Sequence, residues 1–190
     1  NVGSMMAMFY DCIELKSIDI SNFHTENVYD MSFMFAECSS LESLDLSGWD
    51  TSKLERMDYA FSYLNSLRSL NLSSFKTTNV KSVANLFANS SLISADCSSF
   101  ALSQCKNFKD MFTGCSSSFT IYLKTNTYDQ IKSHSESGIG NIKVSIVDRP
   151  QSIKMEIEIE TKSEKKPNQK NETQKKNLPV SEPKKPKQIF

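Results

Sequence analysis

The segment Leu41-Glu42-Ser43-Leu44-Asp45-Leu46-Ser47 decides how this chain is read, because it does not occur once. It stands upstream as Leu15-Lys16-Ser17-Ile18-Asp19-Ile20-Ser21 and downstream, displaced by the same interval, as Leu67-Arg68-Ser69-Leu70-Asn71-Leu72-Ser73. A fourth copy arrives one position early, as Leu92-Ile93-Ser94-Ala95-Asp96-Cys97-Ser98, and a degraded fifth is Ser118-Phe119-Thr120-Ile121-Tyr122-Leu123-Lys124. Apolar residues alternate with polar ones along each copy, which is the pattern of a half-buried strand.

Two further columns run in step. An aromatic follows each of the first four copies: Phe23, Trp49, Phe75 and Phe100. Ahead of each copy lies an apolar set at spacing three and four: Met5/Met8/Phe9, Met31/Met34/Phe35, Met57/Ala60/Phe61, Val83/Leu86/Phe87 and Phe108/Met111/Phe112. That spacing places the side chains on one face of a helix. The expected unit is a short helix, a turn and a short strand. A unit as short as the interval from Leu15 to Leu41 cannot bury its apolar face alone, so neighbours are expected to stack into a continuous core. The fold class expected is α/β: a leucine-rich-repeat solenoid of about five coils with a parallel sheet, a C-terminal cap and a disordered tail.

The boundaries follow from the same columns. Residues 1–124 carry the repeats. Asn1-Val2-Gly3-Ser4-Met5 is in register with Asn27-Val28-Tyr29-Asp30-Met31, so the chain is expected to begin inside a repeat, as a fragment. Residues 125–160 read as a cap and a closing edge strand, the last part an alternation of Ile153, Met155, Ile157 and Ile159 with Lys154, Glu156, Glu158 and Glu160. Residues 161–190 hold nine Lys, three Glu and four of the five prolines. Such a segment buries too little apolar surface to offset chain entropy and is read as a disordered tail, a solvated spacer. The whole chain is formally neutral, with 22 basic and 22 acidic residues. The balance gives no reason to expect nucleic acid as partner. No apolar run approaches the roughly 18 residues a membrane helix requires.

The pattern Met-x-x-Met-Phe-x-x-Cys-x-x-Leu-x-Ser-Leu-Asp-Leu-Ser-x-Phe-x-Thr-x-x-Val resembles the repeat of the BspA family of leucine-rich-repeat surface proteins. The closest copy runs from Met31-Ser32-Phe33-Met34-Phe35 through Cys38, Leu41, Leu44-Asp45-Leu46-Ser47 and Trp49 to Thr51. The resemblance covers residues 1–124. It implies a solenoid on a microbial or protist surface, secreted or cell-attached, engaged in adhesion or partner binding. The partner implied is a protein or glycan on another cell or matrix, with the chain itself a monomer or weakly self-associating. An intracellular scaffold of the same fold is the alternative. Leu64 and Ser90 in the Cys column, and Ala95 and Cys97 in the Leu column, depart from the pattern.

Residues between the inward leucines should point outward and build rows along the strands. One row is Asp19, Asp45, Asn71 and Asp96. It reads either as a polar face that binds a partner or as a hydrogen-bonded Ser/Asx ladder that keeps the sheet soluble. A flat row does not supply the 6–8 oxygens calcium requires. The most variable row is Lys16, Glu42, Arg68, Ile93 and Phe119, where each repeat contributes a different contact. Arg68 and Tyr122, with Asp19, Asp45, Asn71 and Asp96, are the candidate binding residues. Phe119 and Tyr122 either anchor a partner or pack under the cap.

The five cysteines read as small buried hydrophobes, Cys12, Cys38 and Cys115 in one column, and do not fix the redox compartment. Asn71, Asn89 and Asn171 open glycosylation patterns. Enzymatic signatures are missing: there is no Cys-x-x-Cys, His-Glu-x-x-His, Gly-x-Ser-x-Gly or phosphate loop, and His24 and His134 are far apart. No cofactor or metal is expected, and the chain is read as a non-enzymatic binding module.

Overall fold

The computed structural model describes residues 2–148. The chain divides into two units, Asn1–Lys154 and Met155–Phe190. The second unit lies outside the described residues, as do the expected edge strand at 153–160 and the expected tail.

Repeats one register apart lie side by side, tied by backbone hydrogen bonds. The segment after Ser4 shows the rule. The N–H groups of Met5, Ala7, Phe9 and Asp11 donate to the carbonyls of Asp30, Ser32, Met34 and Ala36 in the next repeat, at 2.8–3.0 Å. Met31, Phe33, Phe35 and Glu37 donate in the same way to Arg56, Asp58, Ala60 and Ser62, and the series continues through Asn89 to Thr113. Parallel bridges Ser4–Asp30, Asp30–Arg56, Arg56–Ser82 and Ser82–Asn107 mark the start of this ribbon in each repeat.

The intervening N–H groups bond within their own repeat. Met34 donates to Met31, Ala36 to Phe33 and Cys38 to Phe35, each three positions back. These segments are therefore chains of tight turns, and the helix expected in each repeat is not there. The reason is spacing. Backbones bonded directly to one another lie about 4.8 Å apart, whereas α-helices are about 10 Å wide. A helix also consumes its own N–H groups, which here are needed between repeats. The turns carry left-handed residues at fixed places, Ala7 and Asp11, Phe33 and Glu37, Tyr59 and Tyr63, Asn85 and Asn89, then Asp110 and Gly114. Left-handed backbone costs a non-glycine residue about 1–2 kcal/mol, and the bonds on both sides hold it there. At Gly114 a Cβ would also meet the Asn89 carboxamide oxygen at 2.0 Å, so the Asn89 side chain would have to move to admit it.

The strands form one parallel sheet in the order β1 (Ser69–Asn71), β2 (Ser94–Asp96), β3 (Thr120–Leu123), β4 (Lys143–Ile146). Between β3 and β4 lies α1 (Thr125–Lys132), followed by two 3-10 turns, Ser135–Ser137 and Ile139–Asn141. The parallel sheet with these short helical elements gives the described unit its α/β character. The copies Leu15–Ser21 and Leu41–Ser47, expected as strands, are not in the sheet. They share one backbone bond, Glu42 N–H to Lys16 O at 2.9 Å, and no continuing ladder. Their inward residues are Ile18, Ile20, Leu44 and Leu46, whereas the central strand β2 turns in the smaller Ala95. The ladder is regular from β1 to β4, and its inward pairs include the large Ile121–Val144 and Leu123–Ile146 as well as Leu70–Ala95.

The core lies between the turn ribbon and the strand segments. Phe9, Phe35, Phe61, Phe87 and Phe112, one per repeat, form a continuous stack with ring centroids 5.4–6.2 Å apart and planes within 18° of parallel. Leu41, Leu46, Leu67, Leu70, Leu72 and Leu92 are buried beside it. Phe119, expected to point outward, is instead fully buried, packed edge-on against Phe87 at 5.9 Å and tilted against Phe112 at 6.2 Å. It closes the phenylalanine stack where the repeat pattern ends, and it lies on the same inward alternation as Ile121 and Leu123, so the row of Lys16, Glu42, Arg68 and Ile93 does not extend to it. Two donors of the last repeat's ribbon are closed as well: Asp110 and Phe112 donate to the carbonyls of Glu136 and Ser137, at 2.7 and 3.0 Å.

Candidate interaction face

The candidate residues fall into two groups. Asn71, Asp96 and Tyr122 stand in register on β1, β2 and β3, and Ser145 of β4 continues the row. Arg68 lies just before β1 and is exposed. Its guanidinium Nη1 donates to Ser91 O at 3.1 Å, and it borders a shallow depression of about 450 Å³ with Ile93, Asn89 and Ser116. Asp19 and Asp45 lie apart from the strands and line a second depression, of about 180 Å³, with Ser21, Ser47 and Trp49.

The Asp/Asn row does not form a ladder across repeats. Each residue turns back on its own chain. Asp19 Oδ1 accepts from Ser21 Oγ at 2.7 Å and Ser21 N–H at 3.0 Å. Asp45 accepts from Ser47 N–H at 2.9 Å, Asn71 from Ser73 N–H at 2.9 Å and Ser73 Oγ at 2.7 Å, and Asp96 from Ser98 N–H at 2.9 Å. This is an Asx turn repeated four times, and it ends each Leu-rich segment. The Ser21 hydroxyl and N–H hold the Asp19 carboxyl below its usual range. The Ser47 N–H and hydroxyl do the same for Asp45. Both carboxylates are charged at neutral pH.

The residues that distinguish one repeat from another lie on the same face. Lys16, Glu42 and Arg68 are exposed. Ile93 keeps 54% of its surface exposed and Tyr122 38%, large values for apolar side chains on a sheet. The place of Ile93 in the variable row is legible in the sequence; its exposure as a lone aliphatic surface is not. Asn71, an expected glycosylation position, is exposed, but its side-chain carbonyl is held by Ser73. Asn89 is half-buried and left-handed. Asn171 lies outside the described residues.

All five cysteines are free thiols. Cys38 Sγ donates to Phe9 O at 3.0 Å and Cys115 Sγ to Phe87 O at 3.1 Å, so the shared column bonds one repeat to the next. Burial pushes the thiols of Cys38 and Cys105 up to about 11, and that of Cys97 well above its ordinary value. Among the described residues no group of three His, Cys, Asp or Glu side chains comes together to hold a metal ion. No helix among them is long and apolar enough to cross a membrane.

Short units in one register, joined by parallel backbone bonds and threaded by one phenylalanine stack, define a repeat protein. Residues 3–126 match the family described as Mycoplasma protein of unknown function, DUF285, and the chain belongs to that family. No curated protein and no solved structure matches it.

Proposed function

We propose that this chain is a non-enzymatic binding module, a leucine-rich-repeat solenoid of five BspA-like units that is secreted or held at the cell surface. Its partner is a protein or glycan of another cell or of the matrix. The observation that carries this reading is the outward row before and along the strands. Arg68, exposed Ile93, Asp96 and exposed Tyr122 present a cation, an aliphatic surface, an anion and an aromatic ring on neighbouring repeats. Aromatic and Arg side chains carry much of the energy at interfaces, and the Asx turns beneath fix the backbone that displays them. The Asp19 and Asp45 depression is the polar extension of the same face.

The reading is tested with labelled chain on intact cultured animal cells, some pretreated with trypsin and some with periodate. Saturable binding is expected, lost after one of the two treatments according to whether the receptor is protein or glycan. The triple variant Arg68→Glu, Ile93→Ser, Tyr122→Ser, whose sites are exposed, should keep its fold and bind at least ten-fold more weakly. Absence of saturable binding, or equal binding by the variant, would reject the proposal.

The scaffold reading inside the cell draws on the five free thiols, because reduced cysteines suit a cytosol. Membrane-impermeant biotinylation of intact source cells separates the two. Labelling of the chain supports surface display, and labelling only after lysis supports the scaffold.

A further inference from the structure

Charge is not spread evenly along the repeats. Residues 2–58 hold eleven Asp and Glu against three Lys and Arg, whereas residues 59–124 hold two against six. The depression of about 450 Å³ beside Arg68 belongs to the second stretch, and among the described residues no Asp or Glu lines it. Arg68 itself forms no ion pair among those residues. Its guanidinium is tied to the next repeat by the one bond to Ser91 O, at 3.1 Å, which leaves the rest of the planar fork uncommitted.

The rest of the lining adds donors to that cation. Ser116 and Ser118 Oγ lie 2.8 Å apart, and Ser118 N–H donates to Ser116 Oγ at 3.2 Å, so one hydroxyl hydrogen of the pair is left to give. The Asn89 carboxamide and the backbone N–H groups of Gly114 and Ser116 make no hydrogen bond among the described residues. Of the lining residues Leu92 is fully buried, and Ile93 alone offers a broad apolar surface. A protein partner draws its energy from anchors seated in desolvated pockets, and this polar floor provides none. A sugar presents hydroxyls that both donate and accept, around one aliphatic ring face. We propose that the depression binds an acidic sugar unit of a glycan. Its carboxylate or sulfate meets the Arg68 guanidinium in a charge-assisted bond, its hydroxyls meet Ser116, Ser118 and Asn89, and its C–H face lies on Ile93. The inference rests on the reading of this face as a binding surface and narrows the partner to an anionic glycan.

The test titrates the full chain with three disaccharides, one sulfated, one ending in a uronic acid and one uncharged, and follows each backbone amide by NMR. Small probes keep the Lys-rich segment 161–190 from dominating, and the amides report where each probe sits. Saturable shifts are expected at Gly114, Ser116 and Ser118 with an acidic probe and none with the uncharged one; the stronger of the two acidic responses tells sulfate from carboxylate. Arg68→Gln removes the cation. Ser116→Asp keeps an acceptor for the Ser118 N–H and places a carboxylate in the depression. Each variant should melt as the parent does and bind about ten-fold more weakly or worse. Shifts confined to residues 161–190, or unchanged affinity in both variants, would overturn the proposal. So would equal affinity for sodium sulfate alone, which makes the site one for a bare ion, or for a Glu-Glu dipeptide, which makes the partner a polypeptide. The cell-binding assay keeps the two claims apart: a chain that binds cells yet shows no saturable shift here loses this site alone, and one that saturates here without binding cells keeps the site and loses the adhesive role.

Discussion

At the scale of single residues, the repeats are held together by side chains that a hydropathy pattern does not rank. Thr25, Thr51 and Thr77 each stand two positions after the aromatic of their repeat, and all three are buried. Thr25 Oγ1 accepts the Asp50 N–H at 2.9 Å, Thr51 the Lys76 N–H at 2.8 Å and Thr77 the Ala101 N–H at 2.8 Å. Each threonine thus satisfies a backbone donor of the following repeat. Valine has nearly the same shape but no acceptor, so Thr77→Val should leave the Ala101 N–H without a partner at a cost of about 1–3 kcal/mol. Thr77→Ser, which keeps the oxygen, should recover most of it. Urea unfolding of the two variants beside the parent checks this, and equal midpoints for Val and Ser would refute the role of the hydroxyl. The threonine column is visible in the repeat pattern, but its work is not, because the donor it meets belongs to the next repeat. The aspartates are legible in position and only half legible in role. Their rows are readable from the register, whereas the Asx turn depends on a local bend that alternation does not specify.

At the scale of elements, the repeat length and the inward leucines are readable directly, and the local conformation is not. Spacing of three and four in Met31/Met34/Phe35 is what a helix shows, yet a chain of tight turns buries the same positions. The two differ in where the N–H groups go, and that is decided by the neighbouring repeat. The strands teach the converse lesson. Ala95 and Cys97 read as defects in the leucine column, but Ala95 lies at the centre of β2, fully buried, between Leu70 of β1 and Ile121 of β3. Ala95→Leu restores the repeat pattern and should nonetheless destabilise the chain by about 1–3 kcal/mol, because extra volume in a packed core forces its neighbours apart. Amide exchange should quicken at Leu72 and Cys97, whose N–H groups bond Asp96 and Tyr122 across the sheet. A variant as stable as the parent, with those amides still protected, would show that Leu fits between Leu70 and Ile121 without forcing the strands apart.

At the scale of the described unit, a core running through every repeat couples buried groups that lie far apart in sequence, and the thiols report on it. Desolvation is the first cause of the upward shift at Cys38, Cys97, Cys105 and Cys115. In the folded chain Cys38 and Cys105 keep their protons up to about 11, against an ordinary thiol value of 9.0. Above pH 9 the unfolded chain therefore loses these protons first and binds fewer of them than the native chain. Linkage then lowers the unfolding free energy as pH rises, so the stabilisation is complete below pH 9 and fades until the native thiols ionise near 11. The melting temperature should fall across that window. The double variant Cys38→Ala, Cys105→Ala should begin lower, since each truncation leaves a small cavity, but should fall less steeply with pH. The two proteins share every other titratable group, so the difference in slope isolates the two thiols. Thermal melts by circular dichroism at pH 8, 9, 10 and 11, in reductant, measure it. Identical slopes would mean that the two cysteines ionise as readily in the native chain as in the unfolded one, and that water reaches the core between the repeats.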